Sequence, residues 1–480
     1  MENQASNEGS LYQKRIPIYP RSVKGKFRNF KWAILAVAYL VYFGLPWLPW
    51  ERPDAPDQAV LFDLVGRRFF IFDMALYPQD IIALSMALFI AAVTLFFVTT
   101  LVGRAFCGYF CFQTIWTDFY IWIEHLVQGE RPARIRLHKQ PWNFEKIRKY
   151  GLTHALWLLA SFWTALTFVL YYGYAPELLH KFFTGEMVNA GYITVIALTI
   201  STYLAAALLR EQVCIYMCPY ARFQGVMYEP ETLVVTYETK RGEGTKGRHP
   251  AVQGARTREE RQAQGYGDCI DCEMCVQVCP EGIDIRDGLQ YKCISCGLCI
   301  DACNTIMDSM GYPRGLVRYD SETNAKSDNP VQPKLDLLRI RTIGYGIFIL
   351  IMTGILVYNL ATRTSFEESV QQVRQPLFVV LTDGEIRNRY QVRITNKTDH
   401  EETYVITTKG IPDGALDFGG LTNEVKVRAG KSLMVQVNVK LTPEEAAKTD
   451  TFEFIITPKD KPEEAGIRKV RFVLQTRRVI

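Results

Sequence analysis

Cysteine is the residue type whose number and spacing in this sequence most clearly predict chemistry. The 480 residues include twelve cysteines, and eight of them form two consecutive runs with the spacing C-x2-C-x2-C-x3-C. The first run is followed by Pro280, and the second by Asn304 where proline is usual. Thiolates at this spacing are typical ligands of [4Fe–4S] clusters. The two runs therefore predict a pair of iron–sulfur clusters.

The spacing also predicts how the eight thiolates divide between the two clusters. In ferredoxins with two such runs, the fourth cysteine of each run ligates the other cluster. The first predicted cluster is held by Cys269, Cys272, Cys275 and Cys303, and the second by Cys293, Cys296, Cys299 and Cys279. Structural zinc is the alternative, but zinc sites use C-x2-C pairs separated by longer spacers. Crossed ligation keeps the clusters close, so we expect electrons to pass between them.

The remaining four cysteines form two C-x3-C pairs, Cys107 with Cys111 and Cys214 with Cys218. Both pairs read C-x-Y-x-C and follow an apolar stretch and a basic residue, which indicates an internal repeat. If each pair lies on one helix face, at positions i and i+4, the four thiols can converge. Soft thiolates favour Cu(I), zinc or iron–sulfur centres. A third cluster, copper, dithiol–disulfide chemistry without a metal, and ordinary buried thiols all stay open.

Five long stretches without charged residues must position these cysteines. They are 19 to 27 residues long and contain no Asp, Glu, Lys or Arg: 32–50, 81–103, 150–176, 187–209 and 342–362. About 20 apolar residues cross a bilayer as a helix. The sequence thus predicts a membrane protein with about five transmembrane helices, and it excludes a wholly soluble one. The net charge of +5 is too small for a strongly basic nucleic-acid binder.

Lysine and arginine are concentrated in alternate loops, which predicts the orientation of the helices. The segment before the first stretch and the loop 104–149 are basic, whereas the loops 51–80 and 177–186 are not. This pattern predicts a cytoplasmic N-terminus, five crossings and a C-terminal region on the outer face. All twelve cysteines then lie on the cytoplasmic side, where disulfides are rare. Metal ligation is therefore the better interpretation.

After the last apolar stretch the hydrophobic period changes to two. Alternating segments occur at 390–395, 403–407, 432–441, 451–456 and 469–474, separated by turn signals. Such short strands predict an immunoglobulin-like sandwich. The predicted division of the chain is a basic cytoplasmic segment (1–31), a four-helix membrane region with both C-x3-C pairs (32–210), a cytoplasmic linker (211–258), a ferredoxin-type domain with two clusters (259–312), a linker (313–341), a fifth transmembrane helix (342–362) and a periplasmic immunoglobulin-like domain (363–480).

Several of these features occur together in one known family. The sequence IYPRSVKGKFR at 18–28, the two C-x3-C pairs, GDCIDC at 267–272 and the terminal sandwich resemble the CcoG/FixG/RdxA family of cytochrome c oxidase accessory proteins. The resemblance implies a bacterial inner-membrane protein that acts in the assembly of cbb3-type oxidases and reduces Cu(II) to Cu(I) for the oxidase copper site. One departure is Phe112, which follows the first pair where the second pair has Pro219.

Three functions remain open at this point. The first is a cupric reductase, an oxidoreductase with copper at the four paired cysteines. The second is a membrane electron conduit to a partner protein. The third is a non-enzymatic, redox-sensing assembly factor. The expected partners are cbb3-type oxidase assembly proteins or copper transporters and chaperones, with an unknown cytoplasmic electron donor. The sequence contains no G-x-G-x-x-G nucleotide-binding motif between a strand and a helix that would identify this donor.

Overall fold

The computed structural model describes residues 17–52, 56–77, 80–251, 257–327, 335–398, 400–420 and 422–474. The first sixteen residues of the predicted basic segment, parts of both predicted linkers and the last six residues lie outside the described ranges.

The helices follow the apolar stretches and the cysteine runs. In chain order they are α1 Lys26–Gly44, α2 Ile81–Val102, α3 Ala105–Tyr109, α4 Phe112–Gln128, α5 Arg131–Lys139, α6 Phe144–Leu170, α7 Ala175–Thr184, α8 Asn189–Thr202, α9 Pro219–Met227, α10 Thr239–Glu243, α11 Arg258–Ala263, α12 Met274–Gln277, α13 Leu298–Met310, α14 Glu322–Lys326, α15 Ile340–Ala361 and α16 Pro443–Lys448. A π-helical segment, Tyr203–Leu209, precedes the second cysteine pair, and a second one, Val213–Met217, contains Cys214. Short 3-10 turns cover Leu45–Trp47 and Ile285–Asp287.

The strands are short before the last long helix and longer after it. They are β1 Val60–Asp63, β2 Arg68–Ile71, β3 Met74–Leu76, β4 Val234–Tyr237, β5 Val317–Asp320, β6 Phe366–Gln372, β7 Val379–Val380, β8 Ile386–Asn396, β9 Glu402–Lys409, β10 Leu416–Asp417, β11 Glu424–Val427, β12 Ser432–Leu441, β13 Thr451–Pro458 and β14 Gly466–Arg471.

Five helices in the described part of the chain are long and apolar enough to cross a membrane. They are Lys26–Trp47, Ile81–Val102, Phe144–Leu170, Asn189–Leu209 and Ile340–Ala361. In α2 and in α15, only 6% of the most apolar 18-residue segment is buried within the protein. This exposure is expected for helices that face lipid rather than a protein core. The prediction of a membrane helical bundle is confirmed.

Helix α6 has the most buried window of the five spans, at 44%, and packs against α4 and α8. Aromatic side chains fill the contact with α4, and their polar atoms are satisfied inside it. Trp116 Nε1 donates to Thr164 Oγ1 (3.0 Å), and the Tyr120 and Ser161 hydroxyls lie 2.6 Å apart. These bonds matter because an unpaired polar group costs about 1–3 kcal/mol when it is buried.

The cysteine-rich segment folds with the same compact unit as α1, most of α2, and α3–α6. Its core is built from α12, α13 and an antiparallel pair of strands, β4 and β5. Strand β4 begins at Val234, ahead of the predicted segment 259–312, and Val235 and Tyr237 pack against Cys269 and Cys275. Only four residues form this strand, too few for a clear alternating pattern.

A second compact unit comprises 46–84, 171–175 and 355–480. Its C-terminal part has two sheets, one with the strand order β10-β12-β8-β6 and β7 paired to β8, and one with the order β11-β9-β13-β14. Side chains from both sheets share one core, in which Tyr390, Val437, Tyr404 and Phe454 are fully buried. The predicted immunoglobulin-like sandwich is confirmed. The sequence analysis did not predict the small sheet β1-β2-β3, whose strands of three or four residues are also too short to show a period.

Candidate metal centres

The first predicted set of thiols surrounds one cavity. Cys269, Cys272 and Cys275 line it together with Cys303, which belongs to the other run. Most of the remaining lining of this cavity is apolar, including Ile306, Met307, Leu316 and Val317. The structure therefore brings together the four thiols that the crossed pattern groups.

The second predicted set surrounds an adjacent cavity. Its lining contains the other four thiols of the two runs, Cys279, Cys293, Cys296 and Cys299. Cys275 lines both cavities. The two candidate centres are thus neighbours, as electron exchange between them requires.

The same backbone conformation shapes both loops. Asp271 and Ser295 occupy equivalent positions, two residues after the first cysteine of each run, and both have positive φ, 52° and 51°. Glu273 and Gly297, one residue after the second cysteine, have φ of 54° and 71°. These left-handed residues bend the chain twice within seven residues, so three cysteines can face one point before α12 or α13 begins.

The thiol spacing fits a multinuclear cluster better than a single ion. Zinc bound by thiolates has Zn–S bonds of about 2.3 Å in a tetrahedron, which places the sulfur atoms within roughly 4 Å of each other. In the described ranges, the group of three possible ligands that all lie within 4.8 Å of one another is His400, Glu402 and Asp460, which contains no cysteine. The thiols around the two cavities are therefore spaced more widely than the ligands of one zinc ion. The donor set of four thiols around each apolar cavity thus fits an iron–sulfur cluster.

Burial explains why these thiols need a metal to ionise. Burial is the main reason that the pKa values of Cys275 and Cys303 are raised to about 12, and neighbouring thiols contribute to the value of Cys303. Without a metal both thiols are protonated at neutral pH. Because the thiolate is the ligand, cluster binding must release these protons.

The two C-x3-C pairs do not lie on single helices, so the expected placement of each pair at positions i and i+4 of one helix face is wrong. Cys107 lies in α3, whereas Cys111 has extended backbone angles and directly precedes α4. Cys214 lies in the π-helical segment Val213–Met217, and Cys218 is extended and precedes α9. Pro219 favours this break because it has no N–H and suits the first position of a new helix. Each pair therefore spans a junction between two helical segments.

The four thiols of the two C-x3-C pairs nevertheless lie close together. Burial raises the pKa of Cys107 to about 12, and the nearby Cys111 and Cys218 raise it as well. Burial is also the main cause that raises the pKa of Cys214, followed by Glu281 and then Cys111 and Cys107. The Cys107 thiol donates a hydrogen bond to Gln224 Oε1 (3.2 Å). We call Cys107, Cys111, Cys214 and Cys218 the membrane-edge thiols.

The first membrane-edge pair contacts the loop of the second cluster site. A Cβ atom added to Gly108 would lie 2.7 Å from the Ile294 carbonyl oxygen and 3.0 Å from Cys296 Cα. The hydroxyl of Tyr109 donates to the carbonyl oxygen of Cys296 (2.8 Å). Cys107 shares a buried apolar cluster with Ile294 and Cys296. Only glycine permits this close approach, which places the membrane-edge thiols directly beside a predicted cluster ligand.

The N-terminal segment is a part of the site that the sequence analysis missed. In the sequence analysis this segment serves only for topology and for the family resemblance, yet the Arg21 N–H donates to the Gln277 carbonyl oxygen (2.8 Å). The Arg28 N–H donates to Asp301 Oδ2 (2.8 Å), so a carboxylate of α13 caps the first turn of α1. The only signal available in the sequence was the motif at 18–28. Charge composition gives no information about such backbone contacts.

Three family models match this chain. A 4Fe-4S dicluster domain matches residues 209–322, a 4Fe-4S binding domain matches 84–130, and an "IG-like fold at C-terminal of FixG" matches 356–475. The first match includes both cysteine runs together with Cys214 and Cys218, and the second includes Cys107 and Cys111. These matches support iron–sulfur binding and the C-terminal sandwich.

Three relatives match most of the chain. Protein RdxB of Cereibacter sphaeroides is 41% identical over 463 residues, which cover 94% of this chain and 95% of RdxB. Protein RdxA of the same organism is 40% identical over 433 residues (89% and 88%). Nitrogen fixation protein FixG of Rhizobium meliloti is 36% identical over 447 residues (87% and 84%). A crystal structure of a FixG-related protein from Vibrio parahaemolyticus matches 24% of this chain and 99% of its own, with 23% identity and a TM-score of 0.20.

Proposed function

This chain belongs to the FixG/RdxA/RdxB family of membrane iron–sulfur electron-transfer proteins, and we propose that it transfers electrons to Cu(II) and releases Cu(I) for the copper site of a cbb3-type cytochrome c oxidase. The electrons come from a cytoplasmic donor. Each Cu(II) takes up one electron, and one reduced cluster is oxidised by one electron in return.

The observation that carries this proposal is the contact between the membrane-edge thiols and the second cluster site. Tyr109 and Gly108 lie between Cys107 and Cys111, and both contact the backbone of Cys296. A substrate ion held by these thiols would therefore be a few residues from a cluster ligand. Soft thiolates stabilise Cu(I) relative to Cu(II), so this position favours the reduced product.

We assign a distinct task to each group of cysteines. When bound, the clusters supply one-electron redox chemistry. The ligands of the first are Cys269, Cys272, Cys275 and Cys303, and those of the second are Cys279, Cys293, Cys296 and Cys299. The membrane-edge thiols hold the copper substrate.

The proposal includes an orientation and partners. The N-terminus and the cluster domain face the cytoplasm of a bacterial inner membrane, and the C-terminal sandwich lies in the periplasm. The sandwich serves there to dock oxidase assembly proteins, copper transporters or chaperones. This assignment follows the distribution of lysine and arginine between the loops.

A single-turnover assay tests the reductase. The full chain is purified anaerobically in detergent, its clusters are reduced, excess reductant is removed, and Cu(II) is added with a chelator specific for Cu(I). We expect one Cu(I) for each cluster that is reoxidised, followed through the cluster absorbance and the chelate together. If the clusters are reducible but no Cu(I) forms, the protein is instead a conduit or a redox sensor.

Variants of the membrane-edge thiols locate the copper. Replacing all four cysteines with serine should abolish Cu(I) formation while the cluster absorbance is retained. The matched control is Tyr216→Phe, because this exposed side chain lies between Cys214 and Cys218 and supplies no thiol. Unchanged Cu(I) formation in the four-serine variant would remove these thiols from the mechanism.

A further inference from the structure

A small cavity lies beside the membrane-edge thiols, with about 30 Å³ of space for the centres of water-sized molecules. Its wall includes Cys214, and it also includes Pro280 and Ile294 from the loops that carry Cys279 and Cys293. Five of the lining residues are charged: Lys31, Asp118, Arg210, Glu211 and Glu281. The cavity thus borders both the proposed copper site and the second cluster site.

Ion pairs compensate the charges of Lys31, Asp118 and Arg210 in this lining. Asp118 accepts from Arg28 (2.9 Å) and lies 3.4 Å from Lys31. Arg210 binds Glu124 (2.6 Å), a carboxylate outside the cavity lining. Pairing is expected here because a buried, uncompensated charge is strongly unfavourable. These pairs leave Lys31, Asp118 and Arg210 with no need of a further ion.

The carboxylate of Glu281 is in a different situation. The residue is only 8% exposed, and its Oε2 atom is buried without a hydrogen-bond partner. Glu211 lines the same cavity and is equally buried. Two buried carboxylates therefore share one cavity, and a cation bound there would supply the interaction that Glu281 Oε2 lacks.

We propose that Glu211 and Glu281 bind Cu(II) in this cavity before the ion reaches the membrane-edge thiols. This inference rests on the proposed function, which it extends by an entry site for the substrate. Carboxylate oxygens are harder ligands than thiolates and suit Cu(II) better than Cu(I). A bound, reduced cluster would supply the one electron that converts Cu(II) to Cu(I). The ion would then exchange the carboxylates for the thiolates, beginning with Cys214, whose thiol proton would pass to a released carboxylate.

The cavity is small, with about 30 Å³ of space for the centres of water-sized molecules, so an ion bound there keeps only about one or two waters. Glu211, Glu281 and Cys214 do not form a group whose ligand atoms all lie within 4.8 Å, in the part of the chain that the structure describes. Bound water must therefore complete the coordination while the carboxylates hold the ion. The copper can then move towards Cys214 by losing water, without displacing a protein ligand first.

Electron paramagnetic resonance of bound Cu(II) tests this site without any turnover. The full chain carries serine at all four membrane-edge positions, so no thiol there can reduce the metal, and its clusters are kept oxidised. Cu(II) is titrated into this protein and into versions that also carry Glu281→Gln or Glu211→Gln. The matched control is Glu322→Gln, an exposed surface carboxylate paired with Lys326. We expect each test substitution to weaken Cu(II) binding about tenfold or more, and the control to leave it unchanged.

Equal Cu(II) affinity in the Glu281→Gln, Glu211→Gln and Glu322→Gln proteins would overturn the entry site. The iron content of each variant shows whether its clusters are retained. If Glu281→Gln loses the clusters, Glu281→Asp replaces it in the titration. This variant keeps the carboxylate, so we expect a smaller loss of Cu(II) affinity. The proposed function is separable from this site. If the chain with intact membrane-edge thiols forms Cu(I), and neither Glu281→Gln nor Glu211→Gln changes that formation, the entry site alone is contradicted. Carboxylate-dependent Cu(II) binding without any Cu(I) formation supports the site and contradicts the reductase.

Discussion

At the scale of single residues, the two cluster loops reach the same backbone shape with different side chains. The position after the second cysteine is left-handed in both, but it is glycine in one loop (Gly297) and glutamate in the other (Glu273). A left-handed conformation costs a residue with a Cβ atom roughly 1–2 kcal/mol. The left-handed backbone of Glu273 is therefore strained, and the packing of the folded cluster domain must compensate for this strain.

Crossed ligation can be tested with paired substitutions. Cys272 and Cys303 line the same cavity, so replacing both with serine should remove one cluster and leave about four iron atoms per chain. Replacing Cys272 and Cys279, which line different cavities, should remove both clusters. Iron analysis after anaerobic purification distinguishes the two variants. If ligation is not crossed, the Cys272 and Cys279 variant should lose one cluster and the Cys272 and Cys303 variant should lose both.

The close approach at Gly108 gives a second prediction. The methyl group of Gly108→Ala would meet the backbone of Ile294 and Cys296, and overpacking of this kind costs about 1–3 kcal/mol. We expect the cluster absorbance to be lost at a lower temperature than in the unmodified chain. Gly151→Ala is the control, because nothing lies within 4 Å of its added Cβ atom. Identical melting of both variants would show that the contact is not tight.

At the scale of elements, the cluster domain is held to the first membrane helix by backbone hydrogen bonds. Helix α1 has Gly25 at its N-cap and no capping side chain of its own. Asp301 of α13 supplies the missing acceptor for the Arg28 N–H. A negative charge at a helix N-terminus also interacts favourably with the helix dipole. This hydrogen bond therefore joins the start of α1 to α13.

Removing this cap should loosen the start of α1. Loss of an N-cap acceptor costs about 1 kcal/mol, so Asp301→Ala should speed amide hydrogen exchange near Arg28 about fivefold. Mass spectrometry of peptides from the detergent-solubilised chain measures this rate. Asp308→Ala lies on the same helix and loses only an exposed pair with Arg314. If both variants exchange equally, Asp301 does not cap the helix.

At the scale of the whole molecule, the proposed function depends on orientation in the membrane. An odd number of crossings places the two ends of the chain on opposite sides. Alkaline phosphatase, which folds only in an oxidising compartment, should be active when fused after Thr364 and inactive when fused after Met227. Green fluorescent protein at the same positions should give the reverse result. Active phosphatase at Met227 would place the cysteines outside and contradict the cytoplasmic donor.

The sequence by itself determined the features that are encoded locally. Cysteine spacing identified the runs, apolar length identified the five membrane helices, and period-two alternation identified the sandwich. Local signals suffice here because a cluster ligand set, a membrane span and a half-buried strand each impose a pattern on neighbouring residues. The short strands β1–β5 gave no such signal, because three or four residues are too few to show a period.

Only the tertiary structure decided how distant residues meet. It brought Glu281 and Glu211 to one cavity, packed Gly108 against Cys296, and capped α1 with Asp301. It also divided each membrane-edge pair between two helical segments, although the spacing alone is compatible with one helix. Each of these contacts joins residues far apart in the chain. Their energies depend on packing and burial in the folded state, and the order of residue types along the sequence does not record them.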